Sequence, residues 1–474
     1  MIKITLFFLI LLAGACSSFV GNKICQAKKS DCVKCASVES ELEKGKINLS
    51  VKEFELDNGL KILVHENHKL PIFSYYTFFN VGGRNEPPDR IGATHFLEHM
   101  MFKGTTKFGP GVFDNYIEES GGMNNAYTSR DMTVYHEDMP NQELVKTIEL
   151  ESDRMTNLAL DGVEFDNEID VVLDERLRNY DTDPGEKLFL RMMVDVFKGT
   201  PYGRSVLGTE SEIKNLTRSK IIEYYKAYYA PNNATVVVSG DVDADRVYRE
   251  IKNKYGPIPK SLSIKDNSTT TVAPEDFMFK SKLSGEVNLH GINDVPMFLI
   301  AFKGEPLGSR RGFVMDILSS ILGDGESSHF YQNFVKGKHP LLASISVGNF
   351  TLMKNGVFYI QGKFLKNSKQ ALDIFKRKIE KDYLTICEQA ISKRSVQKTK
   401  NQFLMGYYSA IRSNSGIADF LGAREIYFND YSFYNRELEI YESVTDDEVK
   451  GVCESVFSNG ERIFFSIWKN NSEA

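Results

Sequence analysis

LTRSKIIEYYKAYYAPNNATVVVSGD (Leu216–Asp241) and VTDDEVKGVCESVFSNGERIFFSIWK (Val444–Lys469) follow one pattern at a constant offset of 228 positions. Thr217 matches Thr445, Ile221 matches Val449, Tyr229 matches Phe457 and Val236 matches Phe464. Each stretch opens on a threonine suited to cap a helix and continues as an amphipathic helix. Each then turns at Asn or Gly and ends in a β-branched and aromatic strand. The starts of the two halves are also alike. PIFSYYTFFNVGG from Pro71 and PMFLIAFKG from Pro296 both read as a strand leading into a helix. A repeat of this length is no solenoid unit. It predicts two similar α+β domains, each of about 200 residues.

The join between them is visible in composition. From Ile258 to Glu286 the chain is rich in Ser, Thr, Lys and Pro, which fits a linker over residues 258–286. The first domain then covers residues 51–257 and the second residues 287–474. The first begins at VKEFELDNGLKILVHEN, where alternation around Asn58-Gly59 signals a hairpin. Before it, MIKITLFFLILLAGAC carries one Lys, a short apolar run and small residues, the pattern of an export signal over residues 1–15. The bland alternatives are a short membrane anchor or a buried helix, although the run falls short of the roughly 20 residues a span needs. Small residues before Cys16 also resemble a lipoprotein signal, which would make Cys16 a lipidated N-terminus. The expected location is therefore the periplasm, free or lipid-anchored. Residues 16–50 read as a polar leader. Within it, Cys25, Cys32 and Cys35 suit a disulfide in an oxidising compartment; Cys32 and Cys35 alone are half of a zinc-ribbon pattern with no second half. Cys387 and Cys453 sit in apolar surroundings and read as buried, inert thiols. With 474 residues, 42% hydrophobic content and a net charge of −6, the chain is globular and a poor match for nucleic acid, which needs a basic surface.

The chemistry concentrates in HFLEH, His95–His99. At about 100° per residue, His95 and His99 lie about 40° apart on one helical face, so both imidazoles can reach one ion. Glu98 is displaced beside that face, where it can approach a metal-bound water without coordinating. Two histidines leave a catalytic zinc one protein ligand short. Downstream, FDNEIDVVLDERLRNYDTDP places Glu168 and Glu175 seven apart, on one face within about 20°, with Val171 and Val172 between them able to pack. Two carboxylates on a semi-apolar face call for a cation. The bland readings are a chance His pair and a solvated acidic face paired with Arg176 or Arg178.

The order His-x-x-Glu-His is inverted relative to the common zincin arrangement, and Glu175 lies 76 positions after His99. GGMNNAYTSRDMTVY from Gly121, YYAPNNATVVVSGDVD from Tyr228 and ILGDGESSHFYQNFV from Ile321 complete a set of motifs. From about residue 51 onward the chain resembles the pitrilysin family of inverted-zincin metallopeptidases, in a short two-domain form of bacterial type. That family includes insulin-degrading enzyme and the mitochondrial processing peptidases. The resemblance implies an α+β fold of two homologous domains, each a mainly antiparallel sheet covered by helices. It implies one Zn2+ per chain, with His95, His99 and Glu175 as ligands, Glu98 as general base and Glu168 as a supporting carboxylate. It makes the stretch from Gly121 a substrate-binding strand, where Asn125 and Ala126 would hydrogen-bond an extended peptide added to a sheet edge. Asn125 can also be read as a turn residue after Gly121-Gly122.

One part of the family pattern is missing. Single-chain members carry an Arg and a Tyr, seven apart, that stabilise the oxyanion. Here those positions fall on Val335 and Leu342, and no Arg occurs between Arg311 and Arg377. The expectation is a zinc endopeptidase for extended or unfolded peptides whose Arg and Tyr come from a homologous partner chain. The alternatives are a homodimer, Tyr331 or Lys336 as substitutes, a slow enzyme working alone, and a non-catalytic peptide-binding or scaffold subunit.

Overall fold

The structure, a computed structural model, describes residues 47–264, 277–280, 282–291 and 296–469. The expected signal, Cys16 and the cysteines at 25, 32 and 35 lie outside the described residues, as do residues 265–276 and 281 of the expected linker.

The first sheet contains β1 (Val51–Glu55), β2 (Lys61–Glu66), β3 (Ile72–Phe79), β4 (Met123–Thr128), β5 (Thr133–Pro140) and β6 (Ala234–Gly240), in the order β1-β2-β6-β3-β5-β4. Only β2 and β6 run parallel. The Asn58-Gly59 turn joins β1 to β2 as a hairpin, and Gly59 takes φ +86, a conformation glycine adopts without strain. The second sheet contains β7 (Ser284–Gly291), β8 (Met297–Lys303), β9 (Leu342–Thr351), β10 (Gly356–Phe364) and β11 (Arg462–Lys469), in the order β7-β11-β8-β10-β9, with β7 and β11 parallel. Both sheets are thus mainly antiparallel, and the fold is the two-domain α+β arrangement expected from the repeat.

In chain order the first half supplies α1 (Ala93–Met100), α2 (Val112–Glu119), α3 (Leu144–Arg154), α4 (Gly162–Arg176), α5 (Pro184–Val196), α6 (Glu210–Lys214), α7 (Arg218–Tyr228) and α8 (Ala244–Tyr255). The second supplies α9 (Arg310–Gly323), α10 (Lys369–Lys381), α11 (Tyr383–Ala390), α12 (Lys393–Ala410), α13 (Asn414–Phe428), α14 (Tyr434–Ser443) and α15 (Asp446–Ser458). Thr217 and Thr445 do cap α7 and α15, each accepting from a backbone N–H in the first turn.

Each sheet is covered on one face by helices of its own half and on the other by a helix of the opposite half. Ile62, Val64, Phe73, Tyr75, Val236 and Val238 face the first half's own helices. Leu63, Tyr76, Phe78 and Val237, on the reverse of the same strands, pack against Ile417, Ala418, Phe420 and Leu421 of α13. Reciprocally, Leu188, Phe189, Met192 and Met193 of α5 pack against Leu299, Ala301, Val357 and Phe465 of the second sheet. Burial on both faces explains why the central strands read as near-continuous apolar runs. The exchange is tight: a Cβ on Gly422 of α13 would fall 2.0 Å from Cε2 of Phe78.

Cys387 and Cys453 are not free thiols. They form a disulfide between α11 and α15. Their apolar setting hid this, because a buried disulfide and a buried thiol occupy similar surroundings.

Candidate functional site

HFLEH lies on α1, and an unusual cap fixes where that helix starts. Gly92 precedes it at φ +89, with Leu207 O so close that a Cβ would meet it at 2.7 Å. No side chain of the cap residue itself caps the helix. Instead Glu86 reaches in, its Oε2 accepting from Gly92 N and its Oε1 from Thr94 N, both at 2.8 Å. These satisfy amides that the first turn leaves without helical partners. Burial pushes the Glu86 carboxyl up to about 8, against the pull of the two amides. Phe96 of α1 packs edge-on against Phe165 of α4, with ring centroids 4.7 Å apart. This contact brings the helix that carries Glu168 and Glu175 alongside the one that carries His95 and His99.

His95, His99 and Glu175 converge. Glu175 Oε2 lies 3.6 Å from His95 Nε2 and 3.2 Å from His99 Nε2, and all three residues are buried. On α4 both Glu168 and Glu175 face inward with Val172, as their spacing predicts, but Val171 is exposed and does not pack between them. Glu168 Oε1 accepts from His99 Nδ1 at 2.8 Å, which leaves Nε2 of the same ring for the converging side. Lys103 Nζ holds the other oxygen of Glu168 at 2.6 Å, and Asn179 Nδ2 donates to Glu175 Oε1 at 3.2 Å. Neither Lys103 nor Asn179 stands out in the sequence.

The electrostatics fit a cation. Burial pushes His95 down to about 4. Burial would lower His99 as well, but its bond to Glu168 and the Glu175 carboxylate 3.2 Å away outweigh that and lift it to about 9. Desolvation at the two carboxylates is overcome by His99 and Lys103 at Glu168 and by the two histidines at Glu175, which hold both below the usual range. Glu175 Oε2 is buried with no hydrogen-bond partner among the described residues. An oxygen left bare between two imidazole nitrogens suits a divalent ion with mixed nitrogen and oxygen ligands, as zinc takes. Glu98 sits beside this triad, partly open to solvent, with its Oε2 shielded and without a hydrogen-bond partner among the described residues. Burial pushes its carboxyl up to about 7.

Asn125 and Ala126 lie on β4, the outermost strand of the first sheet, and α1 packs beside it. Asn125 is exposed, and its Oδ1 accepts from Ala126 N at 2.9 Å. Asn125 therefore belongs to a strand rather than to the turn after Gly121-Gly122. In the second half, α9 ends at Gly323, and after a turn containing Gly325 the chain forms a five-residue π-helical turn, Tyr331–Val335. Val335 and Leu342 pack into the second core. Lys336 is engaged by Glu326 at 2.6 Å.

Comparison with known proteins adds a lineage to this geometry. The family model described as insulinase (peptidase family M16) matches residues 61–210, and the one described as peptidase M16 inactive domain matches residues 215–403. The zinc protease PqqE of Helicobacter pylori is 29% identical over 373 residues, 77% of this chain and 80% of that protein. Among solved structures, a protease from Helicobacter pylori superimposes with a TM-score of 0.79 at 23% identity, over 89% of this chain and all of that one. The periplasmic protease PqqL of Escherichia coli gives a TM-score of 0.71 at 17% identity, over 89% of this chain but only 48% of that chain.

Proposed function

Because the chain belongs to peptidase family M16, the insulinase or pitrilysin family, we propose that it is a zinc-dependent endopeptidase for extended or unfolded peptides and the zinc-bearing chain of a two-chain enzyme. The observation that carries this is the convergence of His95 Nε2, His99 Nε2 and Glu175 Oε2, with Glu98 alongside. In this reading His95, His99 and Glu175 hold one zinc ion per chain. Zinc, when bound, supplies a Lewis acid and lowers the pKa of its water toward about 7. Glu98 accepts the proton of the attacking water and returns it to the leaving amine nitrogen. Glu168 holds the His99 ring through Nδ1. The free edge of β4 receives the substrate as an added strand, with Asn125 and Ala126 beside the scissile bond.

Val335 and Leu342 cannot donate to an oxyanion, so a homologous partner chain supplies the Arg and Tyr; a second copy of this chain is the alternative partner. The length relation to PqqL supports a two-chain assembly, because this chain corresponds to about half of that protease. The zinc-bearing half spans residues 51–257 and the second half residues 287–474, joined by a linker. The enzyme is exported, free in the periplasm or anchored by lipid at Cys16. The Cys387–Cys453 disulfide favours an oxidising compartment, and no helix among the described residues is long and apolar enough to cross a membrane.

A second reading, a non-catalytic peptide-binding or scaffold subunit, draws on the family model over residues 215–403, which is described as inactive. The intact first-half site weighs against it. The test is peptide cleavage by the purified chain, alone and with a homologous chain that carries an Arg and a Tyr seven apart. Cleavage should need the pair. Strong cleavage by the isolated chain would refute the two-chain part, and zinc loading with no cleavage in either case would favour the scaffold.

A further inference from the structure

The three converging donors are not held by the motif alone. Glu175 turns one oxygen toward the imidazoles, 3.2 Å from His99 Nε2, and its other oxygen accepts from Asn179 Nδ2 at 3.2 Å. Asn179 stands on a five-residue π-helical turn, Leu177–Asp181, that continues α4 directly after Arg176. Such turns are rare departures from regular helix and recur at functional sites. A glutamate carboxylate rotates broadly about its last bond. The Asn179 amide pins its plane, so that Oε2 stays on the side of the histidines.

The opposite flank is built the same way. Lys103 lies four residues past His99, after the end of α1, and its Nζ sits 2.6 Å from Glu168 Oε2. That contact leaves Glu168 Oε1 for the His99 Nδ1 hydrogen, at 2.8 Å. The ring of His99 is thereby turned with Nε2 toward Glu175. His95 has no such brace, for its Nδ1 finds no partner among the described residues. Support therefore falls on one histidine and one carboxylate, each from a side chain outside His-x-x-Glu-His.

We propose that Lys103 and Asn179 are positioning residues that set the zinc affinity of this chain, Lys103 by fixing Glu168 against His99 and Asn179 by fixing the carboxylate plane of Glu175. The inference rests on the reading of His95, His99 and Glu175 as zinc ligands. It is tested by titrating the metal-free full chain with Zn2+ against a chromophoric chelator, for the wild type, Lys103→Met, Lys103→Arg and Asn179→Ala. Residues that orient metal ligands from outside are worth about 10–100-fold in affinity, so Lys103→Met and Asn179→Ala should each bind at least about tenfold more weakly. Lys103→Arg should stay near the wild type, and the metal-free unfolding midpoint of Asn179→Ala should not move. Cobalt-loaded Asn179→Ala should also show an altered visible absorption spectrum, which a merely structural role would leave unchanged. Asn179 is partly exposed, so Asn179→Ala decides the matter if Lys103→Met does not fold. Wild-type affinity in Asn179→Ala overturns the proposal while leaving the zinc reading intact. A wild-type chain that binds no zinc overturns both.

Discussion

Helix α4 of the first half turns Glu168 and Glu175 inward, whereas α12, at the same place in the element order of the second half, turns Val396 and Thr399 inward and lays Phe403 on the core. A buried carboxylate is costly unless paired. The first half carries two on one helix and balances them with His99, Lys103 and Asn179. The second half spends the corresponding space on packing and adds a disulfide between α11 and α15. The sheets differ as well. In the first, Val247, Ile251 and Tyr255 of α8 join the core that covers β2. The second sheet has no such helix after β11 among the described residues, and β7 turns Glu286 to the side of Phe464 and Asn288 to that of Ser466. The same plan thus gathers the candidate metal donors in one half and a packed core in the other.

The largest expected effect separates the halves by metal. Glu175→Ala should reduce zinc affinity by more than the roughly 10–100-fold that loss of a supporting residue costs, while Thr399→Ala on α12 should leave it unchanged. Chelator-competition titration checks both. Next comes the disulfide. Replacing Cys387 and Cys453 with Ser should lower unfolding stability by about 2–4 kcal/mol and leave zinc affinity untouched, as read by denaturation and zinc titration of one preparation. A fall in zinc affinity would show that the halves are coupled more tightly than this comparison holds.

The exchanged helices can be probed at their closest contact. Gly422→Ala places a methyl against the Phe78 ring and should cost about 1–3 kcal/mol of overpacking, measured by thermal unfolding. The smallest effect, about 1.4 kcal/mol per pH unit, concerns the proton on His99. In the metal-free site that histidine is lifted to about 9, so it is protonated at neutral pH, and zinc must displace the proton to bind. Zinc affinity should therefore rise about tenfold per pH unit up to about 9 and level off above it. Glu168→Gln keeps an acceptor for Nδ1 but removes the negative charge beside the histidine, and should move the bend to lower pH.

Much of this was legible in residue order. The offset between Leu216 and Val444 predicted the doubled fold, Asn58-Gly59 the first hairpin, and His95, His99, Glu168 and Glu175 a common inward face. What escaped the sequence depends on contacts that periodicity cannot name. Lys103 reads as one surface lysine among many until the fold sets it against Glu168. Asn179 reaches Glu175 because the chain there leaves regular helix, which nothing in Leu177–Asp181 announces. The amphipathic patterns of α5 and α13 call for an apolar partner without saying that the partner is the other half's sheet. Cys387 and Cys453 are 66 residues apart, and their neighbours fit a thiol as well as a bond.

The most direct measurement is made on Glu98→Gln. Zinc content and peptide cleavage are read on one preparation, beside the wild type, with the homologous partner chain present. The expected result is one zinc ion per chain in both proteins and cleavage lowered by about 10²–10⁴-fold in the variant, the loss typical of a missing general base. Unchanged cleavage by Glu98→Gln, or a wild-type chain that holds no zinc, would contradict the role given to HFLEH.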